Sequence, residues 1–413
     1  MVQYHDALET RDPEQREAEQ VAALPELIAN AKANAPYFAK SLAEVDPEAV
    51  TDRAALAKLP ILRKSALIGL QAEAAPFGGL ATALGDLGRI LQSPGPIYDP
   101  EGKRVDYWRM SRALFAAGFR RGEVVHNTFA YHFTPGGWIF DDGARALGCP
   151  VFPAGTGQTE QQLQAIAGLR PVGYVGTPSF LDIILRKAEE TGADVSSLTK
   201  GLVSGEAYLP SHRQAFKDRG LAVYQCYASA DLGLIAYESP DESGAVEGMV
   251  VDEGVIVEIV RPGTGDPVEP GEVGEVVVTT FTPEYPLIRF ATGDMSAVLP
   301  GISPCGRTNM RIKGWMGRAD QTTKVKGMFV HPEQVAEVVK RHGEILKARL
   351  VVTREGVNDK MTLRCEAEGA AGSGEGVAET LRALTKLKGA VEFVAPGSLP
   401  NDGKVIEDIR DHG

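Results

Sequence analysis

Residues 172–205 read VGYVGTPSFLDIILRKAEETGADVSSLTKGLVSG. Two short apolar runs, VGYVGT and GLVSG, flank a segment with the longer apolar spacing of a helix. Strand, helix and strand in that order make a βαβ unit, whose crossover demands parallel strands. The same grammar extends outward to EVVHNTF at 123–129, CPVFPA at 149–154 and AVYQCYA at 222–228. Residues 104–235 are therefore expected to build a mainly parallel sheet covered by helices on both faces. Small and polar residues follow each run, in AYHFTPGG, GTGQT, TPS, SGEAYLP and ASADLG. Ligands of open parallel sheets gather beyond the carboxyl ends of the strands, so these five loops form the candidate site.

The chain has 413 residues, of which 43% are apolar, and a formal net charge of −12. That length accommodates two or three domains of ~150 residues. The acidic balance argues against a nucleic-acid partner, and the apolar runs are far shorter than a membrane helix of ~20 residues. The polar, acidic N-terminus does not read as a signal peptide, which places the protein in the cytoplasm. Cys149, Cys226, Cys305 and Cys365 lie far apart with no CxxC spacing. They predict buried reduced thiols rather than disulfides or a zinc site.

Before the parallel region, Leu24, Leu27, Ile28 and Ala31 mark an amphipathic helix within residues 13–35. After it, GVIVEIV, EVVVTTF and PLIRFATGD are separated by Gly/Pro-rich turns, which predicts an antiparallel β subdomain over about 245–315. From TKVKGMFV onward the order is strand, helix, strand, strand, helix, strand, the ferredoxin-like βαββαβ pattern of a separate small α+β domain. The expected division is a large domain, 1–317, and a small C-terminal domain, 318–413.

Five strings then narrow the reading: SGEAYLP, CYASADLG, RFATGD, GRADQTTKVKGMFVHP and GSLPNDGKVIEDIR, in this order. With LPILRK at 59–64, TEQQ at 159–162 and PCGRT at 304–308, the chain resembles the phenylacetate-CoA ligase family of the adenylate-forming, AMP-binding superfamily. The resemblance implies an ATP-dependent acyl-CoA ligase. A carboxylate would attack the α-phosphate of ATP, coenzyme A would displace AMP from the acyl-adenylate, and a mobile C-terminal domain would move between the steps.

Residue by residue, Lys404 in NDGK matches the catalytic lysine of that family, a point charge able to neutralise the α-phosphate and the incoming carboxylate. Asp294 matches the carboxylate that accepts hydrogen bonds from the ribose hydroxyls, and Arg318 would lie near ribose or phosphate. Asp320, close to Gly317, takes the hinge position. Ser204, Gly205 and Glu206 match the adenine-side loop, and Tyr227 of Tyr227-Ala228-Ser229 would stack on the base. Asp231 stands where a Glu usually holds Mg²⁺, and a helix N-cap is its competing structural reading. Tyr131, His132, Phe133, Gly136, Gly137, Trp138 and Gly155 match the acyl-pocket loops, whose flat apolar surface favours an aromatic or compact acid. The same aromatics could belong to the core. Family precedent suggests a homodimer.

Residues 91–103, LQSPGPIYDPEGK, stand where such ligases have a Ser/Thr/Gly-rich phosphate loop ending in lysine. Prolines donate no backbone N–H, which leaves Ser93 and Gly95, and a Lys103 of uncertain register, for the β- and γ-phosphates. Two alternatives stay open at this stage. One is an adenylate-forming enzyme with an acceptor other than coenzyme A; the other is a non-catalytic nucleotide or acyl-CoA binding protein on the same scaffold.

Overall fold

The computed structural model describes residues 2–93, 96–319, 321, 323–326, 328–355, 358–367, 374–400 and 404–410. Its contacts divide the chain into two compact units. The first comprises Met1–Val257, Val278–Phe290 and Leu299–Trp315; the second comprises Glu258–Val277, Ala291–Val298 and Met316–Gly413.

A nine-stranded sheet dominates the first unit. Its five parallel strands lie in the order Ala222–Ser229, Lys200–Val203, Gly173–Gly176, Val125–Asn127, Val151–Pro153. These are the five runs read from the sequence, and the helices Gly136–Ala146, Thr159–Leu169, Pro178–Thr191 and Pro210–Asp218 alternate with them along the chain. Successive strands leave Val125–Asn127 toward opposite edges, so the switch point of the sheet lies beside the loop that follows Asn127. Beyond Ala222–Ser229 the sheet continues antiparallel through Gly233–Tyr237, Met249–Val251 and Arg311–Ile312. Apolar side chains such as Trp108, Leu114, Phe119, Val175 and Leu202 form the core of this unit.

Strands from the 245–315 region split between two sheets rather than forming one. Met249–Val251 and Arg311–Ile312 extend the large sheet, whereas Val255–Val260, Gly274–Thr280 and Phe290–Ser296 join Leu62–Arg63 in a four-stranded sheet. The N-terminal amphipathic segment is two helices, Pro13–Ala22 and Leu24–Asn34, because Pro25 opens a new first turn. Leu24, Leu27, Ile28 and Ala31 are all buried, as their spacing requires.

The phosphate-loop segment is a β-hairpin. Leu87–Ser93 pairs antiparallel with Ile97–Gly102, with Ser93 opposite Ile97. Prolines are tolerated here because a two-stranded ribbon leaves backbone N–H positions that no neighbour needs.

In the second unit, the helices and strands from Pro332 to Val394 follow the sequence reading, but TKVKGMFV gives two strands instead of one and a further strand, Ile406–Asp408, comes after Ala390–Val394. Thr323–Val325 and Met328–Val330 form a separate hairpin. The four-stranded sheet runs Ala390–Val394, Asn358–Ala367, Ile345–Glu355, Ile406–Asp408 and so recruits its last strand from the C-terminal segment. Val335, Val338, Leu350, Val352, Leu363 and Leu381 fill its core, at the helical and alternating spacings of their elements.

Candidate active site

In the first unit the loops after the parallel strands meet around the switch point. Gly205 has φ +84°, and a Cβ built there would touch Phe129 at 3.6 Å and Thr177 at 3.7 Å, so the ends of three strands converge on one place. Buried Ser204 donates to the Cys226 carbonyl at 2.9 Å and ties its loop to the neighbouring strand. The Glu206 carboxylate accepts the Ser179 N–H at 2.6 Å, at the start of the Pro178–Thr191 helix. Tyr227 is buried within its strand, Ala228 is half-buried beside it, and Ser229 Oγ accepts the Leu232 N–H at 3.3 Å.

The aromatic loop is built on close backbone approach. A Cβ on Gly137 would stand 2.7 Å from the Ala130 carbonyl oxygen and 2.9 Å from the Tyr131 ring; one on Gly136 would meet Phe129 at 3.4 Å. Trp138 Nε1 donates to the Tyr131 carbonyl at 3.1 Å, and the two rings pack edge to face at 5.1 Å. Tyr131 Oη accepts from Asn127 Nδ2 at 2.8 Å and donates to Asp141 at 3.2 Å. Burial and the Asp141 charge raise its phenol above the ordinary value. Phe133 is 74% exposed at φ +58°, and His132 beside it is exposed. Gly155, φ +69°, donates its N–H to the Asn127 carbonyl at 3.0 Å and has open space where a side chain would be. Tyr131 and Trp138 are thus tied into the structure, while Phe133 and His132 face outward.

The hairpin reaches this loop directly. Gln92 donates its N–H to the Phe133 carbonyl at 2.7 Å, and the Arg89 guanidinium lies 4.2 Å from the Trp138 ring centroid. Ser93 Oγ faces the Ile97 carbonyl at 3.4 Å across the hairpin. Lys103 donates to the Gly85 carbonyl at 2.6 Å. Gly95 and the hinge residue Asp320 lie outside the described residues.

Asp231 occupies the turn between two antiparallel strands, which removes the helix-cap reading. Its buried Oδ2 accepts from Lys64 Nζ at 2.5 Å, and Oδ1 has no hydrogen-bond partner. Asp99, which the sequence reading passed over, lies close enough to Asp231 for the two carboxyls to interact. Burial first, and then the Asp231 charge, push the Asp99 carboxyl well above the ordinary carboxylate value. Lys64 closes LPILRK, a string that marked the family but drew no chemical reading. Asp99 left no such signal, because only the hairpin pairing brings it to Asp231. Among the described residues no group of three or more His, Cys, Asp or Glu side chains could hold a metal, so any cation here would rest on few protein ligands.

The second unit holds Asp294, Arg318 and Lys404. Arg318 Nη1 donates to Asp294 Oδ1 at 2.9 Å, and the two residues form an antiparallel backbone bridge. Gly293 between them in space has φ +76°, and a Cβ there would stand 2.7 Å from the Arg318 guanidinium. The left-handed backbone at Gly293 strains any other residue there, and a side chain would crowd the Arg318 guanidinium. Lys404 is half exposed, with Nζ 3.7 Å from Glu407 Oε1, and lines a 930 Å³ concavity with Arg261, Glu333, Lys340 and Lys347. Arg307 of PCGRT is buried and paired with Glu9 at 3.1 Å, a structural role in the first unit.

Parallel strands whose loops converge at a switch point, followed by an Asp–Arg pair and a C-terminal lysine, describe the AMP-binding, adenylate-forming enzymes. Residues 110–281 match the family described as AMP-binding enzyme. Among characterised proteins, the chain is 30% identical over 381 residues to phenylacetate-coenzyme A ligase of Thermus thermophilus, covering 88% of this chain and 84% of that protein. It is also 30% identical over 383 residues to the phenylacetate-coenzyme A ligase of Escherichia coli, covering 87% and 84%. The chain belongs to the phenylacetate-coenzyme A ligase family. Its fold is shared with 2-hydroxyisobutyryl-CoA ligase solved with 2-HIB-AMP and CoA in the thioesterification state, TM-score 0.71 and 22% identity, over 98% of this chain and 92% of that one. The same ligase in the postadenylation state gives a TM-score of 0.72 at 24% identity, over 98% and 91%.

Proposed function

We propose that this protein is an ATP-dependent acyl-CoA ligase that activates an aromatic or compact carboxylic acid through an acyl-adenylate. A carboxylate oxygen attacks the α-phosphorus of ATP, and the bond to the β-phosphate breaks to release pyrophosphate. The coenzyme A sulfur, after losing its proton, then attacks the acyl carbon, and the acyl C–O bond breaks to release AMP. The observation behind this reading is alignment with phenylacetate-CoA ligases over 84% of their length, with Asp294 and Arg318 in contact and Lys404 retained.

In this reading Lys404 supplies the cation that offsets charge on the α-phosphate and carboxylate during adenylation. Asp294 accepts from the ribose hydroxyls with Arg318 beside it. The Ser204-Gly205-Glu206 loop and Tyr227-Ala228-Ser229 receive the adenine. Tyr131, Trp138 and the glycines that let them pack set the acyl pocket, while exposed His132 and Phe133 form its rim. Asp231 fits a Mg²⁺ ligand through its unpartnered Oδ1; bound Mg²⁺ would offset the charge of the ATP phosphates. Ser93 and the hairpin backbone form a reduced phosphate loop. The C-terminal domain, 318–413 with a hinge at Asp320, changes position between the two half-reactions.

Carboxylate-dependent ATP–pyrophosphate exchange, measured over aryl and short-chain acids, tests the proposal. At least one acid is expected to support exchange, and Lys404→Ala to lower it by roughly 10²–10³-fold. Absence of exchange with every acid, alongside intact AMP or acyl-CoA binding, would replace the ligase by a binding protein.

A further inference from the structure

His126 and Asn127 end the strand at the switch point, and neither exposes any surface. Asn127 commits its whole side chain to the aromatic loop. Its Nδ2 donates to Tyr131 Oη at 2.8 Å and to the Gly137 carbonyl at 2.9 Å, and its Oδ1 accepts the Phe129 N–H at 3.1 Å. Its backbone carbonyl accepts the Gly155 N–H at 3.0 Å. One buried residue therefore holds both the aromatic loop and the glycine loop that follows Pro153.

Gln162 grips the glycine loop a second time, from the helix Thr159–Leu169. It is buried, and its Nε2 donates to the Gly155 carbonyl at 2.9 Å and to the Gly157 carbonyl at 2.7 Å. With both amide hydrogens committed, Oε1 accepts from His126 Nε2 at 2.9 Å, which fixes the histidine as the Nε2–H tautomer. Gly155, Gly157 and Gln158 all have positive φ, at +69°, +72° and +50°, and this backbone is unfavourable for Gln158. The side-chain positions of both glycines face open space. The surface of this loop is thus bare backbone, and its position rather than its side chains decides what fits beside it.

We infer that Asn127 and Gln162 are specificity-determining positioning residues, which fix the glycine loop relative to the aromatic loop and so select the acid without touching it. The inference rests on the ligase reading and its assignment of both loops to the acyl pocket. The adenine-side loop is held by other bonds, from Ser204 to the Cys226 carbonyl and from the Ser179 N–H to Glu206. Loosening the glycine loop therefore changes the acid that fits and leaves the nucleotide contacts in place.

Two variants of the full-length protein test this. Gln162→Leu removes both carbonyl bonds at similar volume; Gln162→Glu removes them while keeping an acceptor for His126, and is the variant read if Gln162→Leu does not fold. Thermal unfolding establishes that each is folded. In adenylation assays with an aryl and a short-chain acid, the ratio of their kcat/KM values is expected to change by about 10-fold or more, with the KM for ATP within about twofold of wild type. That ratio does not depend on how much enzyme is folded, so a purely structural role would leave it unchanged. Hydrogen–deuterium exchange over residues 155–158 is expected to quicken by about 10-fold or more, with residues 204–206 unchanged. A folded variant with the wild-type acid ratio, or with wild-type exchange over 155–158, overturns the inference. A wild type that activates no acid, while the variants still loosen residues 155–158 alone, would count against the ligase reading.

Discussion

Gly137 lies where the aromatic loop and the following helix touch, and its missing side chain is a packing requirement. Alanine there would press on the Ala130 carbonyl oxygen at 2.7 Å and on Tyr131. Gly137→Ala is expected to destabilise the fold by about 1–3 kcal/mol, measured by denaturant unfolding, and to raise the KM for the acid more than that for ATP. An unchanged midpoint would show that the loop yields. At this scale the sequence was informative where a residue sits in a recurrent string, as Lys404, Asp294 and Arg318 do. It was silent where side chains from distant segments meet. Lys64 and Asp231, which form an ion pair, stand 167 residues apart, and no spacing links them.

The strand Val125–Asn127 carries a buried histidine at the edge of the switch point. His126 Nε2 is 2.9 Å from Gln162 Oε1, and its ring stacks on Phe152 at 5.5 Å. Burial lowers its pKa from the ordinary 6.5. Its folded-state value is therefore below its unfolded one, so its contribution is present above about pH 6.5 and is lost as pH falls through the lowered value. Urea midpoints should decline from neutral pH toward about pH 5, and His126→Gln should flatten that decline. An equal slope in the variant would assign it to other groups. Parallel strands were legible because a strand buried on both faces must be apolar throughout. The hairpin at 87–102 was not, because its three prolines read as a loop, whereas a strand at a sheet edge tolerates a residue such as Pro100 that donates no N–H.

For the whole molecule, the second unit's composition matters most. Val273, Met295, Ala297 and Ala319 form one small apolar cluster from three separate stretches of chain. Met295 exchanges backbone hydrogen bonds with Gly317 at 2.9 Å and Met316 at 2.8 Å, and the Ala319 N–H reaches the Gly293 carbonyl at 2.7 Å. A fragment ending at Trp315 would leave residues 258–277 and 291–298 without these partners. It is expected to accumulate less soluble protein than the full chain and to unfold at lower temperature, as scanning calorimetry would show. Full solubility with an unchanged transition would mean that those segments fold without the C-terminal residues. Patterning revealed a change of regime near residue 318, since periodicity is local. It could not reveal that earlier segments pack with the later ones, which is a long-range property.

This interleaving sets a rule for anyone recombining such proteins. A chimera spliced at residue 316 would import a foreign C-terminal quarter while keeping the host's 258–277 and 291–298 inserts, so its seams would run through a packed interior. Productive exchange requires transplanting all three stretches as one set, or choosing donors whose side chains at positions 273, 295, 297 and 319 already match.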